Sequence, residues 1–153
     1  MKKIFLSISF IAAIALFGFY MSDSTVTKAN NSMPRGSYGV KLTGSIPTSA
    51  TTRAEIGLVG QFDIDSRGNF TGSRTLVIAG TGPVPGGDFN CRFTQINSNG
   101  TGSFTCRVVD AITGPAGRDD SFRYTIVDNG KEMLLNFIDG IPGAVVTGSA
   151  IRQ

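Results

Sequence analysis

From residue 37 onward, apolar and polar residues alternate in short runs with a period of two. In residues 54–64, Ile56, Leu58, Gly60, Phe62 and Ile64 share one side, with Glu55, Val59, Gln61 and Asp63 on the other. The same division sets Phe89, Cys91 and Phe93 against Asn90, Arg92 and Thr94. It also sets Phe104, Cys106 and Val108 against Ser103, Thr105 and Arg107, and Phe122, Tyr124 and Ile126 against Arg123 and Thr125. That is the period of a half-buried strand. Eight strands are expected, at about 37–43, 54–64, 70–79, 89–96, 101–110, 121–128, 132–139 and 144–151. Turn chemistry separates them. Asp65-Ser66-Arg67-Gly68-Asn69 suits a type I turn with a glycine bulge, and Asp128-Asn129-Gly130-Lys131 carries the Asn-Gly hairpin signal. Thr81–Asp88 and Thr113–Asp120 read as longer Gly/Pro loops, the first a flexible rim loop. The run at 132–139, with Met133, Leu134, Leu135, Phe137 and Ile138, is apolar on both sides. It calls for outer cover from a neighbouring element, a loop or a second subunit.

Eight short antiparallel strands with one apolar face close naturally into an up-and-down β-barrel, which removes the sheet edges; a two-sheet sandwich is the alternative. Thr-Gly-Ser recurs at 43–45, 71–73, 101–103 and 147–149. Glycine weakens a strand unless the strand must bend or pack closely, so the repeat fits a small closed barrel. Chance recurrence of three abundant residues is the bland reading.

Cys91 and Cys106 flank the turn 97–100. If Ile96 faces Thr101, the cysteines fall directly opposite each other, as a structural disulfide requires. A redox dithiol is the other reading, but there is no CxxC spacing and no adjacent base.

The N-terminus gives the chain its compartment. Met1-Lys2-Lys3 precedes an apolar run from Ile4 to Met21, a secretory pattern, with Thr27-Lys28-Ala29 as a small-x-small cleavage sequence. The run of 18 residues is longer than a usual signal core and reaches the lower limit for a membrane span, about 17 residues. The expected organisation is therefore a signal helix or retained anchor at 1–29, a polar linker at 30–36 and a barrel at 37–153. Either fate of the leader places the barrel in an oxidising exported compartment, periplasmic or secreted, where two cysteines usually pair.

Charge removes one class of partner. Three of the 14 basic residues (Lys2, Lys3, Lys28) and one of the 11 acids (Asp23) fall in the leader, so the rest carries 11 basic and 10 acidic residues. A near-neutral domain without a basic run has no electrostatic case for nucleic acid. Histidine is absent, which takes away the commonest general base and metal ligand. Most acids are expected in solvated turns, Asp119-Asp120 among them. No metal and no cofactor is expected. Gly80–Gly87 lacks the lysine and following helix of a phosphate-binding loop.

The residues Phe62-Asp63-Ile64-Asp65-Ser66-Arg67-Gly68-Asn69-Phe70-Thr71-Gly72-Ser73, Asn97–Ser103, Asp128–Glu132 and Val146–Gln153 carry a resemblance. The chain resembles small exported bacterial proteins with calycin-like or allene-oxide-cyclase-like barrels. The resemblance implies fold and export, and brings no catalytic residues with it.

Arg74 is in phase with Phe70, Leu76 and Ile78, hence on the inner face. Three readings stand: a register slip that puts it in water, an ion pair with Asp110, or a contact to a ligand's polar group. Tyr124 is the second inner polar group, beside Phe62, Phe93, Phe104 and Phe122. These aromatics either line a small-molecule cavity or simply fill the barrel. The leading expectation is a binding protein for a small, mostly apolar ligand. A filled barrel serving as a structural or interaction module of the cell envelope, and a cofactor-free isomerase or cyclase, are the alternatives. The second apolar face at 132–139 hints at a homo-oligomer.

Overall fold

The computed structural model describes residues 33–153, so the leader expected at 1–29 and most of the linker lie outside the described residues. Eight strands follow one another: β1 (Gly36–Pro47), β2 (Arg53–Ile64), β3 (Asn69–Ile78), β4 (Gly82–Ile96), β5 (Thr101–Val109), β6 (Arg118–Val127), β7 (Glu132–Asp139) and β8 (Val145–Arg152). Each pairs antiparallel with its sequence neighbours, and β8 returns to β1, with Leu42 opposite Gly148, to close an up-and-down barrel. The barrel expectation holds, and the sandwich is set aside.

The turns obey their residues. Asn129 and Gly130 have φ of 54° and 87°, the positive values that an Asn-Gly hairpin turn requires, and the Lys131 N–H donates to Asp128 O at 3.1 Å. The first rim segment differs from expectation. Thr81–Asp88 is mostly strand: Gly82 to Val84 pair with Ile78 to Leu76, leaving a tight turn at 79–81. A bulge between Arg74 and Leu76 lets β3 and β4 stay paired beside Pro83, which offers no N–H.

Cys91 faces Cys106, and the two are joined in a disulfide. The pairing arises differently from the simple hairpin count. At the turn Ile96 faces Gly102, not Thr101, and a bulge between Phe93 and Gln95 restores the register that brings the cysteines together. Met33 lies against Gly68 at one end of the barrel, and Pro34 is buried, so the last linker residues pack onto the domain.

The Thr-Gly-Ser repeat has a geometric cause. A Cβ at Gly44 would fall against Val145 O, at Gly72 against Gln61 O, at Gly102 against Gln95 O and at Gly148 against Lys41 O. Each glycine marks a place where a neighbouring strand backbone crosses too closely for a side chain, as the coiling of a narrow barrel demands. Gly44 and Gly148 do this on both strands of the closing β1–β8 seam.

Aromatic rings run along the barrel axis. Tyr38 stacks on Phe62 (5.4 Å between centroids), Phe62 meets Phe70 (5.3 Å), Phe70 meets Phe104 (5.1 Å) and Phe104 stacks on Phe122 (5.1 Å). Such pairs add about 0.5–1.5 kcal/mol each beyond the area they bury. The two ends differ. The end holding the turns 65–68, 97–100 and 128–131 is sealed by Tyr38, Tyr124 and Met133, each at most 2% exposed. The other end, with the loops 48–52, 79–81, 110–117 and 140–144, stays open as a mouth.

The closing seam is testable. Gly148→Ala should destabilise the protein by about 1–3 kcal/mol in denaturant unfolding, because the new methyl meets backbone that cannot move aside. Gly57→Ala, where a Cβ would meet nothing within 4 Å, should be neutral or stabilising by roughly 0.5–1 kcal/mol. Equal effects at the two positions would refute the close-approach account.

Candidate functional site at the barrel mouth

The interior is divided at Arg74. Below it, among Phe62, Phe89, Phe104 and the Cys91–Cys106 disulfide, lies an apolar cavity of about 40 Å³. Above it lies a cavity of about 60 Å³ that opens at the mouth and is walled by Ile46, Ile56, Leu76, Ile112, Phe137 and Ile141. Arg74 borders both. An enclosed space of about 150 Å³ is what holds benzene. Both volumes fall below it, so neither cavity encloses an organic ligand as it stands, and a ligand at the mouth would extend past the rim into solvent.

β3 delivers Arg74 inward in phase with Phe70 and Leu76, both of which pack in the core. Its cross-strand neighbours are both glycines, Gly60 and Gly87. A Cβ on Gly87 would sit 2.5 Å from the Cβ of Asp110, so glycine there is what lets Asp110 reach under the guanidinium. Arg74 Nη2 donates to Asp110 Oδ2 at 2.6 Å, and Nη1 lies 3.7 Å from Asp120 Oδ2. Asp120 is gripped on both oxygens by Arg118, whose Nε donates at 2.6 Å and Nη2 at 3.1 Å. The side chains of Arg74, Asp110 and Asp120 are 9%, 3% and 3% exposed. Two arginines and two aspartates thus form a charge-balanced floor to the mouth. Burying such charges is tolerable only because each has a partner.

Asp110 also holds the loop above it. Its Oδ1 accepts from the backbone N–H groups of Ile112 (2.9 Å) and Thr113 (2.8 Å), and its own N–H donates to Thr113 Oγ1 at 2.8 Å. The loop therefore carries Ile112, half exposed, to the rim. Burial pushes the Asp110 carboxyl up, but the Arg74 hydrogen bond, the Thr113 and Ile112 amides and the Arg74 charge outweigh it and hold the carboxyl at about 2. The Asp120 hydrogen bonds raise the Arg118 guanidinium above its ordinary value against the opposing cost of burial.

The structure separates the residues that sequence reasoning grouped. Arg74 and Phe122 border both cavities or their boundary, while Phe62 and Phe104 lie below in the filled part. Tyr124 and Phe93 are at the sealed end, in edge contact at 5.3 Å, and line neither cavity. The Tyr124 hydroxyl donates to Gln95 O at 3.5 Å over Gly102, and burial raises its pKa. Arg74 and Tyr124 therefore do not converge on one cavity. Of the three readings of Arg74, the Asp110 ion pair is present and the exposed position is not.

Asp120 was placed in a solvated turn by its neighbours Asp119 and Gly117. It is instead 2% exposed, on the inner face of β6 in phase with Phe122 and Tyr124. That phase was the available signal, hidden because β6 begins at Arg118, three residues earlier than its apolar pattern. Asp119 points outward to Arg107 at 3.0 Å, so the adjacent carboxylates serve opposite faces and cannot grip one cation. Asp88 lies within β4, Asp119 within β6 and Asp139 at the end of β7, so these acids too sit in strands rather than turns. No protein-family model, curated protein or solved structure matches the chain.

Because the folded Asp110 carboxyl titrates below its unfolded value near 3.8, its contribution to stability is present above about pH 4 and is lost as the pH falls toward 2. The loss should be roughly 2 kcal/mol in denaturant unfolding between pH 5 and 2. Asp110→Asn should be less stable than the parent at pH 7, with the gap closing toward pH 2. A gap that stays constant across that range would contradict the assignment.

Proposed function

We propose that the protein is an exported binding protein that takes a small, mostly apolar ligand at the mouth of its barrel. One observation carries this reading: the barrel is sealed and filled at one end, and at the other it opens into an apolar funnel with a polar floor. Apolar walls with a few convergent polar groups are the usual make-up of small-molecule sites. Export is supported by the paired cysteines and by the charged, then apolar, N-terminal sequence. The filled centre argues against a substrate folded deep in the barrel, as a cyclase would need.

A second reading, an interaction module of the cell envelope, is favoured by a different feature. Leu134, Ile138, Val145 and Ile151 stand 44–63% exposed on the outer face of β7 and β8. Among the described residues, the face that the sequence left needing cover is bare.

The two readings separate in a fluorescence titration with Nile red, a neutral apolar dye. Saturable one-to-one binding is expected, weakened at least tenfold by Ile56→Glu in the funnel and unchanged by Leu134→Glu on the outer face. Binding lost in Leu134→Glu and retained in Ile56→Glu would move the function to the outer face.

A further inference from the structure

Arg74 has a buried donor without a partner, its Nε. The guanidinium presents Nε and Nη2 as a two-pronged fork, which a carboxylate normally meets with both oxygens. Here Asp110 meets it with Oδ2 alone, because its Oδ1 is already committed to the amides of Ile112 and Thr113. Arg74 Nε is buried and has no hydrogen-bond partner, on a side chain only 9% exposed. A buried donor without an acceptor costs about 1–3 kcal/mol, and this one belongs to a residue that borders both the funnel and the cavity beneath it.

We infer that the ligand carries a neutral oxygen acceptor, a ketone, ester or alcohol oxygen, at the end that reaches the floor, and that Arg74 Nε receives it. This inference rests on the reading of the mouth as the ligand site. Three alternatives for that end fit less well. A carboxylate would add a negative charge to a cluster in which two arginines already balance two aspartates, with no free cation to offset it. An ammonium would add a positive charge to the same balanced cluster, beside two guanidinium groups. A plain hydrocarbon would leave Nε unpaired. A neutral acceptor gives Nε a partner and leaves the charge balance untouched.

The test is a ¹H–¹⁵N NMR titration of the purified protein at pH 7 with hexan-2-one, hexane, hexanoate and hexylamine. Hexan-2-one is expected to shift the amides of Ile112 and Thr113 and to bind about tenfold more tightly than the other three, the factor that about 1.4 kcal/mol represents. Arg74→Lys keeps the charge and removes Nε. It should abolish the ketone's advantage, read as the ratio of ketone to hexane affinity within the variant. If that variant does not fold, the four-ligand series on the parent still decides. Hexanoate or hexylamine binding tightest, hexane matching the ketone, or an undiminished ketone preference in Arg74→Lys would overturn the head-group assignment while leaving the mouth as the site. If none of the four shifts the mouth amides, both the assignment and the site fall.

Discussion

Eight strands closed into a barrel leave an interior just wide enough to be filled by side chains, and the rest of this structure answers to that constraint. Where strands cross too closely, the chain places glycine, and the Thr-Gly-Ser repeats are the visible trace. Where there is room, aromatic rings occupy the axis in mutual contact from Tyr38 to Phe122. A charged group admitted to so narrow and dry a space must bring its counter-charge with it. Arg74 does so with Asp110 and Asp120, and the cluster then becomes the boundary between the filled part and the mouth.

Function follows from where that boundary sits. Arg74 shares that boundary with Leu42, Leu58 and Phe122, which line both cavities. The lower cavity lies among aromatics and the disulfide, and the funnel lies on the side of the rim loops. Asp110 links the floor to the rim, since the same carboxylate holds Arg74 on one oxygen and the Ile112 loop on the other. Charge, loop position and funnel shape are thus parts of one arrangement.

Strand periodicity made most of the fold legible. Alternation located all eight strands and gave the inner faces of β2, β4, β5 and β6, and the cysteine pairing agreed with it, because side-chain phase survives small errors at strand ends. Features set by tertiary geometry were harder to read. The bulge near Thr94 shifted the hairpin count by one without moving the cysteines. Gly82–Gly87 looked like a loop because its glycines and prolines carry no strand signal, yet it pairs with β3. The candidate site was half legible. Arg74 stood out as a charge in an apolar phase. Asp120 shared the phase of Phe122 but was masked by neighbours that resemble a turn. Tyr124 was correctly placed inward, but phase carries no information about height along the axis, and it lies at the other end.

The central claim is that Arg74 partitions the barrel and confines ligands to the mouth. The most direct test is a crystal structure grown with excess 1-bromohexane, whose bromine is located by anomalous scattering. The account predicts the bromoalkane in the funnel near Ile56 and Leu76, with the Arg74–Asp110 pair intact beneath it. A bromoalkane on the far side of Arg74, among Phe62, Phe89 and Phe104 with the ion pair broken, would contradict it.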